Sequence, residues 1–111
     1  MDINKPVHIN SMNFEKVIRK GIVLVDFWAP WCSPCRAMEP VLDDLASHLE
    51  GKGLITKINV DENPSISSRY GIFSIPTMII FHDGKEFRRF TGGQSSEKLQ
   101  KIITDQYNNT I

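Results

Sequence analysis

Apolar residues fall along this chain in blocks whose spacing switches repeatedly between the period of a strand and that of a helix. Val7-His8-Ile9 opens with an alternating run, and Asn10 or Ser11 is placed to cap a helix with Phe14, Val17 and Ile18 inward. Gly21 is its stop. Ile22-Val23-Leu24-Val25-Asp26-Phe27-Trp28 is almost unbroken β-branched and aromatic sequence, the pattern of a central strand covered on both faces. From Pro34 the period changes, and Met38, Val41, Leu42, Leu45 and Leu49 share one helical stripe. Pro34 suits a first turn, where its missing N–H is no loss, whereas Pro40 lies inside the pattern and predicts one bent helix. Asp43, Asp44, His48 and Glu50 form the solvated side of that helix.

Gly51-Lys52-Gly53 breaks the helix, and Leu54 to Val60 reads as a second inner strand. Asn63-Pro64 caps and opens a short helix, with Ile66 and Tyr70 inward and Gly71 at its end. Two further strand patterns, 77–81 and 86–90, flank an Asp83-Gly84 hairpin turn that leaves the neighbouring His82 exposed. Gly92-Gly93 separates the hairpin from a last helix, capped by Ser95 or Ser96, with Leu99, Ile102, Ile103 and Tyr107 on its buried stripe. The order β-α-β-α-β-α-β-β-α predicts an α/β protein with a mixed sheet between helix layers, parallel where helices cross over and closed by an antiparallel hairpin. At 111 residues the expectation is a single domain over 1–111, without internal repeats.

Chemistry concentrates at the change from strand to helix. Both cysteines lie in Trp31-Cys32-Ser33-Pro34-Cys35. Cys32 falls at the helix N-terminus, where unpaired N–H groups and the positive end of the macrodipole favour a thiolate, and Cys35 falls one turn further in, within sulfur–sulfur reach. Such a pair can close and reopen a small disulfide, the chemistry of thiol–disulfide exchange. Other uses of the spacing fare worse. A zinc finger could take His48 as its first histidine, but Lys52, Gly53 and Leu54 occupy the places of the second. Covalent haem attachment needs a histidine at position 36, which is arginine. A purely structural bridge over so short a loop would constrain little unfolded-chain entropy.

Asp26 interrupts the apolar strand. Loss of hydration there raises a carboxyl pKa, and two readings follow: a buried proton acceptor for Cys35, or a strand-end carboxylate bonded to a loop. Lys57 is the matching charge in the 54–60 strand. It pairs with Asp26 if the strands are adjacent, or it lays its stem on the core and its head in water. His8, at a sheet edge, reads as a solvent-facing structural residue. Composition narrows the partners, because 13 basic and 13 acidic residues give no net charge and hence no electrostatic case for nucleic acid or an anionic membrane. With no apolar leader in Met1 to Pro6 and no membrane-span-length run, a soluble cytoplasmic chain is expected, although an exported mature domain recloned behind a new Met would look the same.

The stretch Val25-Asp26-Phe27-Trp28-Ala29-Pro30-Trp31-Cys32-Ser33-Pro34-Cys35, followed by Gly71-Ile72, Ser74-Ile75-Pro76-Thr77, Gly84 and Gly92, resembles the thioredoxin family over essentially the whole chain. The resemblance implies the thioredoxin fold, a central mixed five-stranded sheet flanked by four helices, and a protein-disulfide reductase. It also implies Cys32 as nucleophile, Cys35 as resolving thiol, Asp26 as acceptor of the Cys35 proton and Lys57 as the group that tunes Asp26. Client binding would fall to a mostly apolar patch of Trp31, Ser33, Pro34, Ile75, Pro76, Gly92 and Gly93, with Ile75-Pro76 cis and the Ile75 backbone free to pair with an extended client strand.

The implied partners are disulfide-containing client proteins and an NADPH-dependent flavoprotein, thioredoxin reductase, acting on a monomer. The chain itself would hold no cofactor, since it has no Gly-rich phosphate loop. Ser33 departs from the family's familiar glycine. Its hydroxyl could bond a thiolate or cap the helix, either of which makes the pair more oxidising, while a less flexible turn offsets this. Two alternatives stay open, an exported thiol oxidant or isomerase on the same fold and a non-catalytic binding subunit.

Overall fold

A computed structural model describes residues 5–110. Its elements run β1 (Val7–Ile9), α1 (Phe14–Ile18), β2 (Ile22–Trp28), α2 (Ser33–Ala37), α3 (Glu39–His48), β3 (Leu54–Asn59), α4 (Pro64–Arg69), β4 (Thr77–His82), β5 (Lys85–Thr91) and α5 (Ser96–Asn108). The strands form one sheet in the order β1-β3-β2-β4-β5. β2 lies at the centre, parallel to β3 and antiparallel to β4, and β4–β5 is the antiparallel hairpin. Pairing between β4 and β5 slips at Ile80/Phe81, a bulge that bends this edge. In the turn, Asp83 and Gly84 both have positive φ, as a tight two-residue connection requires.

Side chains alternate across β2, so its apolar run feeds two cores. Ile22 and Leu24, with Ile55, Met78 and Ile80, pack against Leu42, Leu45 and Leu49 from the α3 side and Leu99 and Ile103 of α5. Val23, Val25 and Phe27, with Ile58, Ile79 and Phe81, pack against Phe14 and Ile18 of α1 and Ile66 of α4. Gly53, just before β3, lies against α5, since a Cβ there would be 3.0 Å from Ile103 Cγ2 and 3.5 Å from the Ile22 carbonyl oxygen.

Several local expectations are corrected. The single bent helix is two segments, α2 and α3, meeting at Met38, because Pro40 has no N–H to offer the Arg36 carbonyl. Met38 keeps helical dihedrals and its carbonyl accepts the Leu42 N–H, so the two segments act as one bent unit and four helical units flank the sheet. Neither Asn10 nor Ser11 caps α1. The Asn10 side chain instead accepts the Met12 and Asn13 N–H groups in a preceding turn, and Asn13 holds the cap position. Asn63 holds the N-cap position of α4 as expected, but its side chain makes no cap bond, since its Oδ1 accepts the Ser11 N–H at 2.8 Å and its amide donates to the Asn59 carbonyl.

At α5 the cap is Ser95, which accepts the Lys98 N–H, while Ser96 donates to Asp44. Asp44 is thereby drawn partly out of the solvated face to which the helical pattern assigned it. His82 is 22% exposed rather than free in solvent, with Nδ1 2.7 Å from Gln106 Nε2 of α5.

Candidate active site

The site lies where β2 ends and α2 begins. Cys32 occupies the N-cap of α2 with an extended backbone, Ser33 starts the helix, and Pro34 sits in its first turn. That turn brings Cys35 back over Cys32. Their Cα atoms are 5.2 Å apart, within the range a disulfide requires, and the two sulfurs are joined. The Cys35 backbone N–H donates to Cys32 Sγ at 3.2 Å. A side-chain acceptor at an N-cap satisfies one of the helix's orphan donors, and here the acceptor is sulfur. Both cysteines are almost fully buried, packed with Ala29 and against Trp28, Val60 and Ile75.

Asp26 is fully buried in the middle of β2, and neither carboxylate oxygen has a hydrogen-bond partner. It is therefore not the strand-end carboxylate bonded to a loop. Burial pushes its carboxyl up to about 7, with the Lys57 charge pulling the other way. The register places Lys57 of β3 directly beside Asp26, yet they form no ion pair. Lys57 is itself buried, with its ammonium 4.3 Å from the centre of the Trp28 ring, a cation–π contact that competes with Asp26 for the charge.

Ser33 bonds neither sulfur and does not cap α2, because Arg36 spans the loop, donating to the Pro30 carbonyl at 2.7 Å and to Ser33 Oγ at 3.1 Å. Arg36 is a contributor the motif gave no sign of, since its partners follow from the shape of the turn. Asp61 is another. It accepts the Trp31 indole N–H at 2.8 Å and fixes a ring that is otherwise 67% exposed.

The remaining sequence-derived residues converge from elsewhere in the chain. The Ile75-Pro76 peptide bond is cis. The Ile75 carbonyl oxygen lies 3.8 Å from Cys32 Sγ, and the Pro76 carbonyl accepts the Gly92 N–H at 2.8 Å, so the 75–76 and 92–93 loops sit together beside the disulfide. Ser33, Pro34 and Gly93 are exposed, Ile75 and Gly92 are half-buried, and Pro76 is buried beneath them. Among the described residues no group of three or more His, Cys, Asp or Glu side chains could hold a metal ion.

Comparison with known proteins gives this geometry its context. The family model "Thioredoxin" matches residues 5–105. The chain belongs to the thioredoxin family. It is similar to thioredoxins of Staphylococcus aureus strains Mu50 and MW2, at 43% identity over 97 residues, covering 87% of this chain and 93% of each relative. Among solved structures, a mutant thioredoxin from Halobacterium salinarum NRC-1 aligns with a TM-score of 0.86 and 32% identity, over 95% of this chain and 93% of that one. The mixed five-stranded sheet with its flanking helices is the thioredoxin fold. With a cysteine pair at bonding distance, this thioredoxin-family member is a thiol–disulfide oxidoreductase. Its reaction is the reduction of disulfides in client proteins.

Proposed function

We propose that the two cysteines divide the reaction between them. Cys32, as thiolate, attacks one sulfur of a client disulfide, forms a mixed disulfide and expels the first client thiolate. Cys35 then passes its proton to Asp26, directly or through a water. Its thiolate attacks Cys32 Sγ, and the second client sulfur leaves as a thiolate. Two electrons pass from the dithiol to the client, and the Cys32–Cys35 disulfide remains. The observation that carries this assignment is the Cys35 N–H aimed at Cys32 Sγ, a donor that favours negative charge on that sulfur once the bond opens.

Asp26 suits the proton transfer because a carboxyl that titrates near neutrality can accept and release a proton at working pH. Lys57 lowers the Asp26 pKa against the effect of burial and so tunes it. The client rests on the patch of Trp31, Ser33, Pro34, Ile75, Gly92 and Gly93, with the buried Pro76 shaping the loop beneath it. An NADPH-dependent thioredoxin reductase regenerates the dithiol, and the chain works as a single-domain monomer in the cytoplasm. Among the described residues no helix is long and apolar enough to cross a membrane.

The test is insulin reduction driven by dithiothreitol. Cys32→Ser should be inactive, and Cys35→Ser should accumulate mixed disulfides with client proteins. Full turnover by either variant would overturn the division of labour. The equilibrium potential of the pair decides between this role and an exported oxidant: a strongly reducing value is expected, and a mildly oxidising one would overturn the reductase assignment.

A further inference from the structure

Arg36 stands on the exposed side of α2, and its guanidinium reaches back over the loop that leads into the disulfide. Nη1 donates to the Pro30 carbonyl at 2.7 Å and Nη2 to Ser33 Oγ at 3.1 Å. The Pro30 carbonyl needs such a donor, because Pro34, four residues on, has no N–H to offer it. Among the described residues the ion pairs do not include Arg36, so both arms of its fork are committed to this loop.

Ser33 carries the one hydroxyl between the two cysteines and is adjacent in the chain to Cys32. A serine so placed can donate to a neighbouring thiolate, and a hydrogen bond to the charged sulfur favours the dithiol over the disulfide. Held at Arg36, the Ser33 oxygen bonds neither sulfur. The Cys35 N–H is the donor aimed at Cys32 Sγ, and a second donor would stabilise that thiolate further. Packing does not fix the hydroxyl, since Ser33 is exposed, so the bond to Arg36 sets where it points.

We propose that Arg36 is a positioning residue that keeps the Cys32–Cys35 pair reducing by holding the Ser33 hydroxyl away from the Cys32 thiolate. The proposal rests on the role given above to Cys32. Arginine suits the task and lysine does not, since a planar fork spans two acceptors while an ammonium is a single point of charge. Loosening the fork lets Ser33 turn to Cys32. When two protein thiols and one glutathione disulfide exchange for the protein disulfide and two glutathione thiols, the extra hydrogen bond lies on the dithiol side alone, so the equilibrium moves toward the reduced protein. One exposed hydrogen bond of this kind is worth about fivefold, or about 20 mV at about 30 mV per tenfold change.

The experiment compares wild type, Ser33→Ala, Arg36→Lys and the double variant. Each is equilibrated with glutathione redox buffers at pH 8, above the titration expected of a helix-terminal thiol, and its Cys32 is alkylated with iodoacetamide across a range of pH. Lysine keeps the charge, so a change in Arg36→Lys reports the lost fork. Ser33→Ala alone should leave the equilibrium within about twofold of wild type, because the hydroxyl it removes touches no sulfur. Arg36→Lys should favour the dithiol by about fivefold and lower the midpoint of Cys32 alkylation by about 0.7 of a pH unit. Adding Ser33→Ala to Arg36→Lys should return both readings to the wild-type values. A larger effect of Ser33→Ala alone, no change in Arg36→Lys, or a change that the second substitution does not reverse overturns the proposal. Insulin reduction by wild type and by Cys32→Ser, measured alongside, tests the role of Cys32 itself, so failure of that assignment is told apart from failure of this one.

Discussion

Replacing Asp26 by alanine should stabilise the oxidised protein, by an amount that depends on pH in a calculable way. The carboxyl has a pKa near 3.8 in an unstructured chain and about 7 in the fold, because burial penalises its charge. Between those pH values the native state holds a proton that the unfolded state has released, so stability falls as pH rises across the window. The fall is about 1.36 kcal/mol per pH unit, which gives a ceiling on the order of 4 kcal/mol above pH 7. Alanine carries no titrating group and escapes this penalty. At pH 4 the folded carboxyl is neutral and the unfolded one little more than half ionised, so less than about 1 kcal/mol of this penalty is present. There the variant exchanges a small cavity for the removal of two buried oxygens without partners, terms of opposite sign that should leave it within about 1 kcal/mol of wild type.

Urea unfolding of both oxidised proteins at pH 4, 5.5, 7 and 8 would measure the effect, with the difference between them cancelling every other titration. The gap should widen steadily between pH 4 and 7 and then level off. A gap independent of pH, or a variant less stable than wild type at pH 8, would refute the account of a carboxylate buried without a partner.

Other consequences follow from the same geometry. Lys57→Met keeps the apolar stem but removes the one charge that lowers the Asp26 pKa, so Asp26 should titrate above about 7 and the window of falling stability should extend upward. Carboxyl carbon chemical shifts followed through a pH titration check this, and an unmoved or lowered midpoint would exclude Lys57 as the tuning group. Gly53→Ala should cost about 1–3 kcal/mol of stability by pressing a methyl against the buried Ile103, as read from urea midpoints. No loss would show that α5 can shift away from the sheet without cost.

The apolar periods carried the large features. The predicted strand 22–28 coincides with β2 to the residue, because a run covered on both faces has no alternation to misread. The two cysteines were legible because their chemistry is written in residue type and spacing, whereas the 75–76 loop was read only through the family resemblance. What escaped depends on partners distant in the chain. Asn63 has the composition of a cap, but its side chain is taken by Ser11, which lies 52 positions away. Trp31 meets Asp61 across 30 positions, and His82 loses its solvent to Gln106 of α5. Phe73 lies in a loop without a hydrophobic period, so only the folded chain shows its exposed ring on a cleft that Trp31 and Ile75 also line. The break at Met38 is a matter of degree, since proline predicts the bend but not how much of the hydrogen-bond ladder is lost with it.

The two borders of the sheet bear on how the protein behaves when crowded. A long, flat outermost strand is a template onto which a neighbouring molecule can add its own backbone. Here one border, β1, is only three residues long. The other, β5, carries the exposed Lys85, Arg88 and Arg89 and is bent by the slip at Ile80/Phe81. Both features disfavour backbone-to-backbone recruitment, so the protein can be present at high concentration with less tendency for its sheets to fuse into aggregates.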